Sequence, residues 1–438
     1  MASQRPSSES PQHVIAVHGS VWRWIEPWYG AYAILGALAS GFAALLIPVV
    51  ISRSGGTTTE IGVAIAAQNI GALSAPLWGI LADRTKSYRT IFFSGFIIIA
   101  AGFVGFSRFS GIGPWMISGY LIGFGTAASN TVATLFVVEF TPPAEWSQRI
   151  SWLQTFNAVG SVLGMAAAGL LAPRAGMAVA AMLVVPGLVL AGRGLPVPGG
   201  RFHIPHVLAV RELADLLRHG GPNAATLHLH HWRPRQVLRL AGNMTSPFGL
   251  FLTGWFAFSL AVSSFGSLYP VLMEKSFAVP TRDSAVLMSI ATAVSIPLYN
   301  LAGGTAARLG AAMVLRLGYI GRLAPMAGMA VLAFVRPSFS FWVAVALYAV
   351  FQVVWPLLSV ASNDLAASLA PFGEGPAIGL FSAAAAVGSA FGALAGGVIA
   401  DRVGYAAVLA FAAVAIAVAL PTVRQQAASY EALRERLQ

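Results

Sequence analysis

Long apolar runs separated by short polar breaks set the rhythm of this chain. A helix needs about 20 mainly apolar residues to cross the hydrocarbon of a bilayer. Twelve runs meet that length, at roughly 30–52, 58–82, 90–107, 113–138, 148–172, 176–193, 246–273, 283–306, 311–335, 338–363, 374–400 and 404–422. They are continuous, not the short alternating segments of a membrane β-barrel. One stretch, 194–242, breaks the rhythm. It is polar and basic and holds most of the histidines. The pattern predicts an all-α membrane protein of twelve spanning helices, arranged as 1–193, a linker at 194–242, and 243–438.

Composition agrees. Only 9% of residues are charged and 57% are hydrophobic, whereas soluble domains carry about 25% charged residues. The net charge of +11 would suggest nucleic acid on a soluble protein. Here the placement of Lys and Arg explains it. With the N-terminus inside, more than twice as many lie in the inner loops, linker and tails as in the outer loops. That bias predicts a multi-pass plasma-membrane protein with both termini cytoplasmic. The polar start carries no signal-peptide pattern. Trp22, Trp24, Trp28 and Tyr29 read as an interfacial anchor. The chain has no cysteine, which excludes disulfides and thiolate metal sites.

A short motif recurs. "GILADR" (79–84), "GLLAPR" (169–174), "GGTAAR" (303–308) and "GVIADR" (397–402) share the form Gly-x-x-Ala-x-Arg. Each ends the middle run of a triplet. A longer stretch, 157–180, aligns without gaps to 385–408, with 11 of 24 positions identical. The motif falls alternately on the inner and outer side. Four three-helix repeats, neighbours inverted, therefore build two pseudo-symmetric six-helix bundles.

This arrangement resembles the major facilitator superfamily over nearly the whole length. Gly79, Asp83 and Arg84 match the family signature between helices two and three. Lys86 stands where the family has a second glycine, and Arg89 follows one residue late. "EFTPPAEWSQR" is similar to the family's stretch after helix four, with Glu139 and Arg149. The resemblance implies a carrier that rocks two bundles about a central site. Asp83, Arg84, Arg89, Glu139 and Arg149 would then form a gate at the cytoplasmic ends. Asp83 would cap helix eleven near Gly375, and Arg84 would reach Glu139. Taken alone, residues 83–89 also suit a loop that only sets topology.

Candidate substrate contacts are polar or aromatic residues in the runs that would line the hollow: Gln68, Asn130, Trp255, Gln352 and Trp355. Arg322 lies within the ninth run. An Arg near the bilayer centre costs at least about 2.5–3.5 kcal/mol. It needs an anionic substrate, a polar partner, or a route to the interface by snorkelling. The fifteen acids sit at the ends of runs or outside them, so no intramembrane proton carrier is evident. Such a hollow suits a neutral, amphipathic or anionic small molecule. The linker's "HLHH" lacks metal-ligand geometry and reads as a solvated loop. No nucleophile–base pair, nucleotide loop or metal cluster stands out, so neither an enzyme nor a cofactor is expected. The expected partners are a small solute and the lipid bilayer around a monomer. A transporter-like receptor or scaffold that binds without moving solute is the other reading.

Overall fold

The structure, a computed structural model, describes residues 24–142, 145–195, 246–335, 339–369 and 374–437. They are almost wholly helical, with no strand among the described residues. In chain order, α1 is Tyr29–Arg53, α2 is Thr58–Ala72 with Ala75–Thr85, and α3 is Tyr88–Arg108. Then follow α4 (Ile112–Phe140), α5 (Trp146–Leu170) and α6 (Pro173–Gly194). In the second set, α7 is Pro247–Gly266 with Tyr269–Phe277, α8 is Thr281–Leu309 and α9 is Ala311–Val335. The last three are α10 (Ser340–Val353 with Trp355–Ser368), α11 (Glu374–Arg402) and α12 (Tyr405–Leu437). Each predicted run falls on one of these helices. Eleven spans are long and apolar enough to cross a membrane. The remaining one, α8, has 29 residues but is more polar, with Arg282 and Asp283 in its first turn. The histidine-rich stretch lies mostly at 196–245, outside the described residues.

Local sequence explains the starts and breaks. Thr57 and Glu60 form a reciprocal capping box at the start of α2, at 3.2 and 2.8 Å. Pro76 opens the second segment of α2 and Pro356 that of α10, where a missing N–H costs nothing. Between Ala37 and Phe42, α1 loosens into a π-turn, the wider coil that often marks a functional helix.

The two sets pack by the same plan. Helix α1 lies on α5 and α6, and α7 lies on α11 and α12. Across the sets, α2 packs on α11 and α5 on α8. Glycines set how close these helices come. A Cβ at Gly160 would strike the backbone of Ala33, and one at Gly164 that of Ala37. In the second set, Gly392 meets the backbone of Leu260 and Gly396 that of Ser264. These are the glycines of the repeated stretch. With no hydrophobic drive in lipid, close backbone approach supplies the attraction between helices.

Gly160→Ala and Gly392→Ala must push two backbones apart, at a cost of about 1–3 kcal/mol each. Gly113 has nothing within 4 Å of its would-be Cβ. Gly113→Ala is therefore expected to be neutral or stabilising. Melting curves of the three purified variants, read against the parent, check the contrast.

Candidate functional site

The sets meet along a seam at one end of the molecule. Gly62 and Ala66 on α2 face Ala393 and Ala390 on α11, and Gly397 rests on Thr58. On the opposite flank Gly169 of α5 rests on Ala285 of α8. Gly169 and Gly397 occupy equivalent places in the repeated stretch, so both flanks close by one design. From Thr58 to Ala66 the seam climbs about 12 Å, at about 1.5 Å per residue. This is less than half the thickness of a bilayer's hydrocarbon, about 30 Å.

A carboxylate fastens the first flank. Asp401 accepts hydrogen bonds from the backbone N–H of Thr58 at 2.9 Å and of Thr59 at 2.7 Å. The Thr58 hydroxyl also donates to Asp401, at 2.5 Å. Asp401 thus caps the free N–H groups of α2 from the other set of helices. The sequence reading put the gate at Asp83 and passed over Asp401. The clue was present: of the four motif copies, only "GILADR" and "GVIADR" carry Asp. The copy on the second flank has Pro173 instead, and among the described residues no hydrogen bond from α5 caps α8.

At the other end, the side chains of Asp83 and Arg84 and the packing at Gly375 lie outside what is described. Among the described side chains, Lys86 is found near Glu139, with Nζ 4.0 Å from Oε1. Lys86 also caps α2 in the left-handed region, at φ 52° and ψ 19°. That conformation explains the family's glycine: an L side chain there costs about 1–2 kcal/mol. Arg149 donates to Glu26 at 2.6 Å and to Glu145 at 2.9 Å. Glu26 accepts from Trp28 Nε1 as well, at 2.7 Å. Arg149 therefore ties α5 to the chain just before α1. Arg89 donates to the Gly192 carbonyl at 2.9 Å and ties α3 to α6. Both contacts stay within the first set of helices.

The structure brings part of the predicted substrate set together. Trp255 on α7 is buried and stacks near Phe258, centroids 5.2 Å apart. Arg322 on α9 lies 5.8 Å from the Phe258 ring, 4.0 Å from Phe351 and 5.0 Å from Trp355. Gln352 is half-buried next to Phe351 on α10. Arg322 is only 2% exposed and about 16 Å along α9 from its start, at about 1.5 Å per residue. It points into the helix bundle, which rules out snorkelling to the interface. Gln68 and Asn130 sit half-buried in the first set, on α2 and α4. Among the described residues no hydrogen bond or ring contact joins them to the other four.

Buried polar atoms without a partner mark both sets. They include Asn130 Oδ1, Trp255 Nε1 and Arg322 Nε. Thr126 Oγ1 is another, one turn before Asn130 on the same face of α4. The sequence reading missed Thr126, which only its spacing from Asn130 could have flagged. An unmade hydrogen bond at a buried polar atom costs about 1–3 kcal/mol.

The architecture defines a membrane protein of twelve helices in two like bundles that meet at one end. Residues 29–376 match the family description "Major Facilitator Superfamily", and the chain belongs to that family. Sequence comparison with curated proteins gives no match. Among solved structures, the nucleoside transporter NupG is similar at TM-score 0.70 and 14% identity, covering 91% of this chain and 98% of that one. A D-xylose-proton symporter aligns at 0.66 and 13%, covering 93% and 99%. The human organic anion transporter MFSD10 (TETRAN) aligns at 0.57 and 13%, covering 92% and 100%. At such identities the likeness is one of fold.

Lys86→Gly is expected to raise the melting temperature. Relief of about 1 kcal/mol of backbone strain outweighs an exposed ion pair worth about 0.2–1 kcal/mol. Lys86→Ala keeps the strain, loses the amine and is expected to melt lower. Thermal unfolding followed by tryptophan fluorescence compares the two.

Proposed function

We propose that this chain is a secondary transporter that moves a small organic solute across the plasma membrane by alternating access. Membership of a transporter family and transporter structural neighbours support the general class. The observation that carries the mechanism is the capped seam at one end, with unpartnered polar atoms lying deeper in both sets of helices. The bias of Lys and Arg puts the Lys86 end and both termini in the cytoplasm. Asp401 then closes the outer face, and the hollow opens inward.

Alternation follows from small, separable contacts. Removing a capping Asp costs about 0.5–2 kcal/mol. That is enough to bias a two-state equilibrium and too little to lock it. When the outer seam parts, the cytoplasmic ends close. Asp83 at the end of α2 is placed by the repeat to cap α11 there, as Asp401 at the end of α11 caps α2. Lys86 and Glu139 stand beside that gate. Arg149 and Arg89 hold the first set rigid while it tilts. Gln68, Asn130, Trp255, Gln352, Trp355 and Arg322 supply the solute contacts.

The described acids near the hollow are at helix ends, and Glu26 and Glu60 are already bonded. Facilitated diffusion or exchange fits this better than an intramembrane proton relay. The same unpartnered atoms would serve a receptor that binds solute without moving it. Uptake into proteoliposomes separates the two: a saturable flux supports the carrier, and binding with no flux under any gradient supports the receptor. The family and the transporter neighbours favour transport over enzyme chemistry.

The lack of native cysteine makes the gate testable directly. A single Ala66→Cys, buried in the seam, is expected to react slowly with an impermeant maleimide added at the Asp401 face. Adding Asp401→Ala is expected to raise that rate about 2–30-fold, the equilibrium equivalent of a lost cap. An unchanged rate would remove Asp401 from the gate.

A further inference from the structure

We infer that Arg322 is an anion-binding site, and that the solute carried here bears a carboxylate, sulfonate or phosphate group on an apolar body. This rests on the transporter reading and narrows it to a substrate class. A guanidinium offers five N–H donors in its plane and attraction to rings at its faces. At Arg322 the neighbours recorded are rings. Phe351 at 4.0 Å, Trp355 at 5.0 Å and Phe258 at 5.8 Å surround it. Among the described residues Arg322 makes no hydrogen bond and no ion pair, and its Nε is buried without an acceptor. The rings hold the cation, yet an aromatic ring accepts poorly from the in-plane N–H edge.

Nothing nearby in the described second set neutralises the charge. Glu274, Asp283 and Asp401 sit at helix ends. Asp364 lies nine residues beyond Trp355 on α10, about 13 Å away at about 1.5 Å per residue. Trp355 is half-buried, and Tyr299 on α8, 39% exposed, reaches both Trp355 and Ser359. An anion entering past Tyr299 and Trp355 would meet the free guanidinium edge, and its apolar body would lie against the rings. A neutral solute would leave those donors unmet, so the site selects for charge. A cation would be repelled.

Purified full-length protein in neutral detergent tests this with matched probes: 2-naphthoate, 2-naphthalenesulfonate and the uncharged 2-naphthamide. Quenching of tryptophan fluorescence reports binding. The anions are expected to bind at least about tenfold more tightly than the amide, as for one charge-assisted hydrogen bond. Arg322→Gln is expected to abolish that preference, and Arg322→Lys to keep part of it. Should Arg322→Gln fail to fold, the anion-to-amide ratio of the parent and of Arg322→Lys carries the test. Equal binding of anion and amide, an undiminished preference in Arg322→Gln, or no binding by either anion overturns the site. Nanodiscs of phosphatidylglycerol and of phosphatidylcholine separate two sources of anion. Weaker naphthoate binding only in phosphatidylglycerol would show that lipid headgroups take the site, overturning a solute role. Arg322-dependent binding without flux in proteoliposomes would leave the anion site standing and remove the carrier reading.

Discussion

A helix in lipid satisfies its own backbone, so its polar groups offer a neighbour little. What two such helices can gain is close fit. Everything else in this molecule depends on how near glycine lets them come. Gly160, Gly164, Gly392 and Gly396 lie against bare backbone of α1 and α7. Bulk at those points would open each set of helices along its length. These contacts are tight, and one serine bond per set adds to them: Ser161 Oγ donates to the Gly36 carbonyl at 3.2 Å and Ser263 Oγ to the Ser389 carbonyl at 2.7 Å. They make each set a unit that can tilt as a body.

The same stretch of sequence also sets where the bodies part. Its early glycines face inward, against the first helix of their own set. Its later glycine, Gly169 or Gly397, faces across, against the first turn of α8 or α2. At Gly397 the contact carries a hydrogen bond, from the Thr58 hydroxyl to the Gly397 carbonyl at 2.9 Å, whereas at Gly169 it rests on packing against Ala285. The Asp401 bonds are confined to the helix terminus, where they meet N–H groups that have no intrahelical carbonyl partner. Pro173 stands in its place on the other flank, so the two flanks are fastened unequally. One flank is capped, and among the described residues the other is held by packing.

Much of this was written in the sequence. The twelve runs gave the helices to within a few residues at most ends, because long apolar stretches admit little else in a bilayer. The repeated glycines gave close packing, though not which helix they faced. Lys86 was visible as a departure from the family's glycine, but its positive φ was not, since one side chain does not announce its backbone. The Asp401 cap was missed because it joins residues 343 positions apart. Pattern along a chain does not show which helix start a distant carboxylate will meet. The inward turn of Arg322 was likewise out of reach. Periodicity gives its place on α9, while its direction depends on α7 and α10.

That direction makes the interior unusual in its electrostatics. A buried Arg normally has a carboxylate partner, and removing one member of such a pair is strongly destabilising. Here the rings of Phe258, Phe351 and Trp355 stand where a carboxylate would. Cation–π attraction contributes about 0.5–2 kcal/mol per ring when desolvated. Three rings therefore offset roughly the 2.5–3.5 kcal/mol that an Arg costs at mid-membrane on the lenient scale. The charge is tolerated and not quenched. A carboxylate partner would have neutralised the field and filled the donors. Rings leave both available, so the arrangement keeps a cation in the membrane interior while its buried Nε stays unmet.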